Sequence, residues 1–254
     1  MVSLSTVQEA LHRLYIEAPG ACLRKEDQKK SAELVGILSE IDRAVTTGKS
    51  SRPIHLVDAA AGKAYVGLLA AECILAARHG RSHVTLIERN AERAAACRQA
   101  VAKVSAAQVD FTVIETEVAD TSAWPSEPDV VVALHACGPA SDTIAERAVA
   151  CQARHLLLVP CCTSDSVVAA DLANRQAEAI GLPRHAEVRR RFIQSIVDAE
   201  RTLRLEAAGY ETTVVPFVSP TQTPHNLLWR ARRVGESKRM AEAAQRLQRL
   251  RSVL

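Results

Sequence analysis

Aromatic side chains are scarce in this chain of 254 residues, where Phe, Trp and Tyr together make 3% of the sequence. Apolar residues nonetheless make 48%, so the core of one large domain, or of a domain with an appendage, has to be built from Ala, Val, Leu and Ile. The scarcity also leaves few rings for stacking on unpaired bases, which disfavours single-strand recognition by stacking.

Long hydrophobic runs are also missing. The most apolar window, 67–77, contains Glu72 and is too short to span a bilayer. Near the N-terminus, Glu9 and His12 interrupt the apolar pattern, so we expect no signal peptide. The seven cysteines are scattered and odd in number, which is typical of a reducing compartment rather than a disulfide framework. These absences predict a soluble, cytoplasmic protein with no membrane partner.

The net charge of +3 is unevenly distributed. Residues 230–254 contain eight basic and two acidic side chains, so this segment carries +6. A second basic cluster comprises Arg184, Arg189, Arg190 and Arg191. Such segments indicate either an anionic partner such as RNA or the solvated face of a packed helix.

Apolar periodicity predicts an alternation of strands and helices between residues 54 and 159. The predicted strands are 54–57, 84–87, 110–114, 129–134 and 155–159, and the predicted intervening helices are 65–79, 91–104 and 141–153. Helices at 167–180 and 188–208 then precede two strands, 211–218 and 226–232, that are close enough to form an antiparallel hairpin. This pattern indicates an α/β fold with a parallel sheet between two helical layers.

Three regions follow from that pattern. Residues 1–50 contain two amphipathic helical patterns and are predicted to form an N-terminal helical extension. Residues 51–234 carry the sheet, and 235–254 are predicted to form a basic C-terminal helix. No internal repeat or low-complexity tract divides the chain further.

A strand, a turn of small residues and a helix follow one another in 54–67, with the sequence IHLVDAAAGKAYVG. Asp58 closes the apolar run, and Ala60 and Gly62 lie in the turn. Such a turn lets the backbone approach a ligand closely, and the helix N-terminus presents unpaired N–H groups. Glu88, directly after the next strand, is placed to accept hydrogen bonds from two ribose hydroxyls.

Further candidate residues follow the later strands, since ligands of open α/β sheets bind outside the carboxyl ends of the strands. After strand three come Glu117 and Val118, where a carboxylate can accept from an adenine amino group, with Asp120 as the substitute acid. Strand four ends in the sequence LHACG, residues 134–138, and strand five ends in PCC, residues 160–162.

These motifs resemble those of the class I S-adenosylmethionine (SAM)-dependent methyltransferases. The LHxCG and Pro-Cys-Cys elements are similar to those of one branch, which includes eukaryotic tRNA 2′-O-methyltransferases and uncharacterised methyltransferase-like proteins. The segment 29–33, with Lys-Lys and Glu, and the segment 223–226 are similar to further motifs of that branch. The chain departs from the family in its first turn, where Ala60 and Ala64 replace two of three glycines, and in lacking the His that often follows the double Cys.

The resemblance implies a Rossmann-like class I methyltransferase sheet and SAM as the cofactor. Implied cofactor-binding residues are Asp58, Ala60, Gly62, Glu88, Glu117, Val118, Leu134 and His135. The candidates for a general base are His135 and Asp165, and the candidates for the acceptor pocket are Cys137, Cys161, Cys162, His225 and Asn226. Two alternatives stay open. His135 and the three cysteines could form a metal site, although the sequence has no C-x-x-C spacing that would support one. Asn226 could instead cap its own turn through its side chain.

The predicted function is therefore SAM-dependent methylation, with RNA as the acceptor suggested by the resemblance and the basic tail. Methylation of a small molecule is one alternative. A non-catalytic SAM-fold binding protein is another, because two turn glycines are lost. A nicotinamide-binding domain is disfavoured, since it would need its glycine-rich turn intact.

Overall fold

The structure of the chain is a computed structural model that describes residues 2–16, 25–46, 52–136, 138–160, 166–184, 187–221, 223 and 226–252. The strands are β1 His55–Ala59, β2 Ser82–Glu88, β3 Val109–Glu115, β4 Val130–Ala136, β5 His155–Pro160, β6 Tyr210–Pro216 and β7 Leu227–Arg233. The α-helices are α1 Leu4–Tyr15, α2 Lys25–Thr46, α3 Tyr65–Cys73, α4 Ala91–Val101, α5 Pro139–Ala150, α6 Val168–Ala179, α7 Glu187–Ala207 and α8 Ser237–Ser252.

All seven strands form one sheet in the order β3-β2-β1-β4-β5-β7-β6. The first five in the chain pair in parallel, and β7 runs antiparallel to both of its neighbours, β5 and β6. The predicted five parallel strands and terminal antiparallel pair are thus confirmed. The strand order reverses between β1 and β4, which is where a ligand binds in such a sheet.

Alternate residues of the central strands pack on opposite faces of the sheet. Leu56 and Val130 belong to a cluster that includes the buried sides of α1, α2 and α3, whereas Val57 and Val131 belong to one that includes α5. The strands are apolar on both faces because both faces are covered by helices. With few aromatic residues, Ala and branched aliphatic side chains fill both layers, as the composition predicts.

The N-terminal helices cover one face of the sheet. Leu34, Ile37 and Leu38 of α2 are fully buried in the same cluster as Leu56 of β1, and Leu11 of α1 joins them. The region that we predicted as an extension therefore shares the core of the sheet, and the boundary at residue 50 stays a prediction. This packing also brings α2 against the carboxyl end of β4.

Several predicted ends were wrong. Asp58, expected to follow β1, lies inside it. The helix predicted over 65–79 ends at Cys73, where Ile74 leaves helical geometry, and a 3₁₀ turn follows. The strand predicted over 211–218 ends at Pro216, which has no N–H to donate to the ladder. Apolar runs alone do not reveal such ends, because they continue past them.

Candidate active site

The turn after β1 keeps an unusual backbone although most of its expected glycines are absent. Ala60, Gly62 and Ala64 have φ angles of +59°, +62° and +61°. These are the three places where the resembling family carries glycine. The turn is held by the Ala61 N–H, which donates to Ile87 O at 2.9 Å, and by the Ala64 N–H, which donates to Ala61 O at 2.8 Å. The left-handed backbone is thus kept with a single glycine, so the loss of two turn glycines no longer favours a non-catalytic protein.

We expect Ala60→Gly to raise the free energy of unfolding by roughly 0.5–1 kcal/mol. A left-handed conformation costs an L-residue about 1–2 kcal/mol, and the greater freedom of glycine in the unfolded chain offsets about half of that gain. Gly62→Ala is the matched reverse change, since its new Cβ would meet no atom within 4 Å and only the backbone strain would count. It should destabilise by about 1 kcal/mol. Urea unfolding of both variants checks this, and shifts of the same sign would contradict it.

Asp58 is buried beneath the turn, with 2% of its surface exposed. Its Oδ2 accepts a hydrogen bond of 2.9 Å from the Gly67 N–H in α3. A Cβ on Gly67 would lie 2.5 Å from the Leu86 side chain and 3.2 Å from Asp58 Oδ2, so any other residue would force these buried side chains to shift. Burial raises the pKa of Asp58 to about 7, the Gly67 N–H and Lys30 oppose the rise, and repulsion from Glu88 adds to it.

Glu88, the last residue of β2, connects two loops of the site. Its Oε2 accepts from the Gly62 N–H at 2.7 Å and its Oε1 accepts from the Asn90 N–H at 2.9 Å. The carboxylate is buried. Each oxygen retains capacity for a second hydrogen bond, which is compatible with the predicted role in holding ribose hydroxyls. That role stays a prediction.

The loop after β3 lies beside Glu88, because the Thr116 N–H donates to Glu88 O at 3.2 Å. Glu117 is exposed and forms an ion pair of 3.5 Å with Arg89. Val118 is buried. Asp120 caps the following 3₁₀ turn by accepting from the Ser122 N–H at 3.0 Å. The loop thus lies beside Glu88 and Asp120 has a structural role, whereas the assignment of Glu117 as the adenine acid stays a prediction.

The end of β4 has a second backbone irregularity. The pairing register with β5 shifts between Leu134 and Ala136, and His135 between them has φ +61°. Its imidazole Nε2 hydrogen-bonds to Oε1 of Glu33, which is buried in α2. Residues with sparsely populated backbone conformations are concentrated at functional sites.

Glu33 also accepts from Lys30 Nζ at 2.7 Å through its Oε2, so it bridges a lysine and the histidine. Burial raises the pKa of Glu33, but the hydrogen bonds from His135 and Lys30 outweigh burial and hold it below its usual value. Glu33 and Lys30 were not among the predicted site residues. The available signal was the Lys-Lys and Glu segment at 29–33, which the resemblance singled out without giving it a role.

Several predicted site residues lie outside the described residues. These are Cys137, Cys161, Cys162, Asp165 and His225. In the described ranges, no three His, Cys, Asp or Glu side chains form a metal-binding group, and Cys73, Cys97 and Cys151 are free thiols.

Asn226 lies next to the carboxyl end of β5, because β7 begins at Leu227 and pairs Trp229 with Leu158. Its Nδ2 donates to Val218 O at 2.9 Å, and its main-chain O accepts from the Phe217 N–H at 3.0 Å. The side chain therefore closes its own turn, as the alternative interpretation held. A role in acceptor binding stays a prediction.

The predicted basic segments are mostly paired with acids. Arg189 is buried and donates to the main-chain O of Leu182 and of Asn174, which is a structural role. Ion pairs join Arg184 to Glu178, Arg190 and Arg191 to Glu187, Arg230 to Glu40, Arg232 to Glu211 and Arg251 to Glu200. With respect to the described residues, Lys238, Arg246 and Arg249 on α8 form no ion pair. No helix in these ranges combines the length and apolar character of a membrane span.

Known structures resemble the whole of this fold. A methyltransferase of Podospora anserina with bound S-adenosylhomocysteine (SAH) is 14% identical, with a TM-score of 0.53, over 90% of this chain and 88% of that one. The CurJ carbon methyltransferase is 12% identical, with a TM-score of 0.51, over 91% of this chain and 58% of that one. At such identities the likeness concerns the fold, and it confirms the predicted Rossmann-like class I methyltransferase architecture.

The family comparison is more specific than the comparison of folds. No curated protein matches the chain. A family model described as a methyltransferase domain matches residues 29–167, more than half of the chain, from the Lys30–Glu33 segment of α2 to the start of α6. The predicted enzyme class is thereby confirmed, and the protein belongs to this family of methyltransferase domains.

Proposed function

We propose that the protein transfers a methyl group from SAM to a hydroxyl oxygen, and that the acceptor is a 2′-hydroxyl of RNA. The choice of oxygen as the acceptor atom rests on one observation. The imidazole of His135 lies at the carboxyl end of β4 and is hydrogen-bonded to the carboxylate of Glu33. A hydroxyl is a weak nucleophile at neutral pH and gains from a general base, for which histidine is the commonest side chain.

The described residues fit SAM as the donor. Asp58 and Glu88 are buried acids beside the turn, and Glu88 repels the negative charge of Asp58. Lys30 is the cation that opposes this repulsion at Asp58. SAM brings positive charge on its ammonium and sulfonium groups, which would relieve this repulsion. Asp58 and the turn 60–64 would hold its methionine end, Glu88 its ribose, and Glu117 with Val118 its adenine.

When bound, SAM supplies an electrophilic methyl group on a positively charged sulfur. Transfer of this methyl group to the acceptor oxygen would break its bond to sulfur and leave SAH with a neutral thioether. His135 takes the proton of the acceptor hydroxyl on its imidazole nitrogen. The residues of the site otherwise contribute by aligning the two reactants, which is a large part of catalysis in such transfers.

Two observations support RNA as the acceptor. The motifs after β4 and β5 resemble those of a branch that includes tRNA 2′-O-methyltransferases. In addition, Lys238, Arg246 and Arg249 on α8 are cations without ion pairs among the described residues, as a surface that tracks phosphates requires.

Methylation of a small hydroxylated molecule is the second candidate. It is favoured by the neutralisation of most basic side chains, including Arg190, Arg230 and Arg251, by neighbouring acids. A small acceptor would require no extended basic surface.

We expect Glu88→Ala to weaken SAM binding about tenfold to hundredfold, since it removes a charge-assisted pair of hydrogen bonds of roughly 1.5–3 kcal/mol. Isothermal titration calorimetry with SAM, SAH and NAD measures the effect. Glu115→Ala is the matched control, because Glu115 ends β3 in register with Glu88 and pairs with Arg98 instead.

Glu115→Ala should keep wild-type affinity. Since Glu88 also holds Gly62, thermal unfolding of both variants has to show that they are folded. Unchanged SAM affinity in folded Glu88→Ala protein would exclude this acid as the ribose ligand. Binding of NAD without SAM by the wild-type chain would reject the cofactor assignment.

The acceptor is tested with SAM labelled in its methyl group, incubated with the full chain and either total RNA or an RNA-free metabolite extract. Label in RNA that survives alkaline hydrolysis within dinucleotides supports the proposal, because a methylated 2′-oxygen cannot attack the neighbouring phosphate. Label only in mononucleotides would place the methyl group on a base, and label only in metabolites would favour the second candidate.

A further inference from the structure

We infer that Glu33 is a positioning residue that, anchored by Lys30, fixes the tautomer and orientation of His135 for proton transfer from the acceptor. This inference rests on the proposed function, because it assigns a role within the same site. It extends the site to α2, a helix that precedes β1 and the turn 60–64 and contributed no residue to the predicted site.

The contact is built by a helix and a strand that are far apart in the sequence. Lys30 and Glu33 are three residues apart and therefore share one face of α2. Glu33 has 7% of its surface exposed, and its two oxygens accept from different partners, Oε2 from Lys30 and Oε1 from His135. Burial and two partners leave the carboxylate little freedom to move.

The direction of the hydrogen bond determines which nitrogen can act as a base. A carboxylate accepts hydrogen bonds only, so the proton of this contact belongs to Nε2 of His135. In the neutral ring, Nδ1 is then the nitrogen with the lone pair. Glu33 thereby selects Nδ1 as the atom that receives a proton.

The negative charge of Glu33 also favours proton transfer to His135. Lys30 and His135 are the titratable groups that contact the Glu33 carboxylate, and their hydrogen bonds overcome burial to keep it ionised. An adjacent negative charge stabilises the imidazolium that forms as the proton arrives. Because the His135 backbone is left-handed within a strand irregularity, this side-chain contact also defines where the ring points.

The test compares two buried glutamates of α2. Glu33→Gln removes the charge and allows either side-chain atom to face the ring, whereas Glu40→Gln does the same two helical turns away, where Glu40 accepts from Arg230 at 2.6 Å. Both residues are 7% exposed. We expect Glu33→Gln to lower kcat about tenfold at unchanged KM for SAM and to move the acid limb of the pH–rate profile to lower pH. Glu40→Gln should do neither.

A second readout needs no acceptor. Nitrogen-15 NMR of the imidazole, assigned by its loss in His135→Gln, should show the proton on Nε2 in the wild-type chain and a mixture of tautomers in Glu33→Gln. A wild-type proton on Nδ1, or a tautomer unaffected by Glu33→Gln, overturns the inference whatever the acceptor is. The expected tautomers together with a kcat and pH profile unchanged by Glu33→Gln would also overturn it. A wild-type chain that methylates no hydroxyl would instead overturn the proposed function.

Discussion

Asp58→Asn should raise the free energy of unfolding by about 4 kcal/mol more at pH 8 than at pH 4. Burial raises the pKa of Asp58 to about 7 in the folded chain, whereas an aspartate in the unfolded chain titrates near 3.9. Each unit of that difference corresponds to about 1.4 kcal/mol. Asparagine carries no charge at any of these pH values and can still accept from the Gly67 N–H.

The sign follows from which state binds the proton. Below about pH 4, the carboxyl is protonated in both states and contributes no penalty. Between about pH 4 and pH 7 the unfolded chain loses the proton first, so the wild-type protein loses stability as the pH rises. Above about pH 7 both states are ionised and the full penalty remains, with Glu88 adding repulsion and Lys30 opposing it.

Urea unfolding of wild-type and Asp58→Asn protein in buffers from pH 4 to pH 8 measures this difference directly. Asp110→Asn provides the control, because Asp110 on β3 is half exposed and pairs with Arg81 at the surface. A constant difference between wild type and Asp58→Asn across this range would show that the buried acid does not titrate as stated.

His155→Leu should have the opposite pH dependence, becoming more stable relative to wild type by about 2 kcal/mol as the pH falls from 7.5 to 4.5. His155 is buried at the start of β5. Burial, and then repulsion from Arg154 and Arg232, lower its pKa from 6.5 to about 4, and Asp129 opposes them. The expected value is below the full shift because both arginines are exposed to solvent and screened by salt.

The lowered pKa means that wild-type stability is complete above about pH 6.5 and is lost as the pH falls towards 4, since the unfolded chain binds the proton first. Leucine removes that loss. His79→Gln, which removes an exposed histidine from a loop, is the control. Parallel pH curves for wild type and His155→Leu would contradict the assignment.

The two effects oppose each other between about pH 4.5 and 6.5, where Asp58 destabilises and His155 stabilises as the pH rises. Their contributions to the wild-type stability curve should therefore partly cancel. Each single variant should reveal the contribution of the other residue, and the double variant should lack both.

The sequence predicts the sheet and the order of its ligand-facing loops well, because both depend on local patterns. Apolar runs between turn residues locate β1, β2 and β5, and the spacing of 211–232 is short enough to require a hairpin. The positions of Ala60, Gly62 and Ala64 were assigned from the family resemblance, and all three have the left-handed backbone that glycine favours.

Contacts between distant segments are not readable in this way. Glu33 and His135 are 102 residues apart, and nothing in the helical pattern of α2 indicates which of its acids faces β4. Likewise, Asp58 was expected at a strand end, but its burial depends on the close approach of Gly67. Asn226 was assigned to the acceptor pocket because its turn lies at the right edge, whereas its side chain bonds within the turn.

The left-handed backbone of His135 is tied to the contact that its side chain makes. Glycine would adopt this conformation without strain, but His135→Gly would also remove the imidazole that hydrogen-bonds to the buried carboxylate of Glu33. A buried group left without its partner costs about 1–3 kcal/mol, which is as much as the relieved strain of about 1–2 kcal/mol. Selection of variants for heat resistance alone should therefore not enrich His135→Gly, although its backbone is the one that glycine adopts most easily.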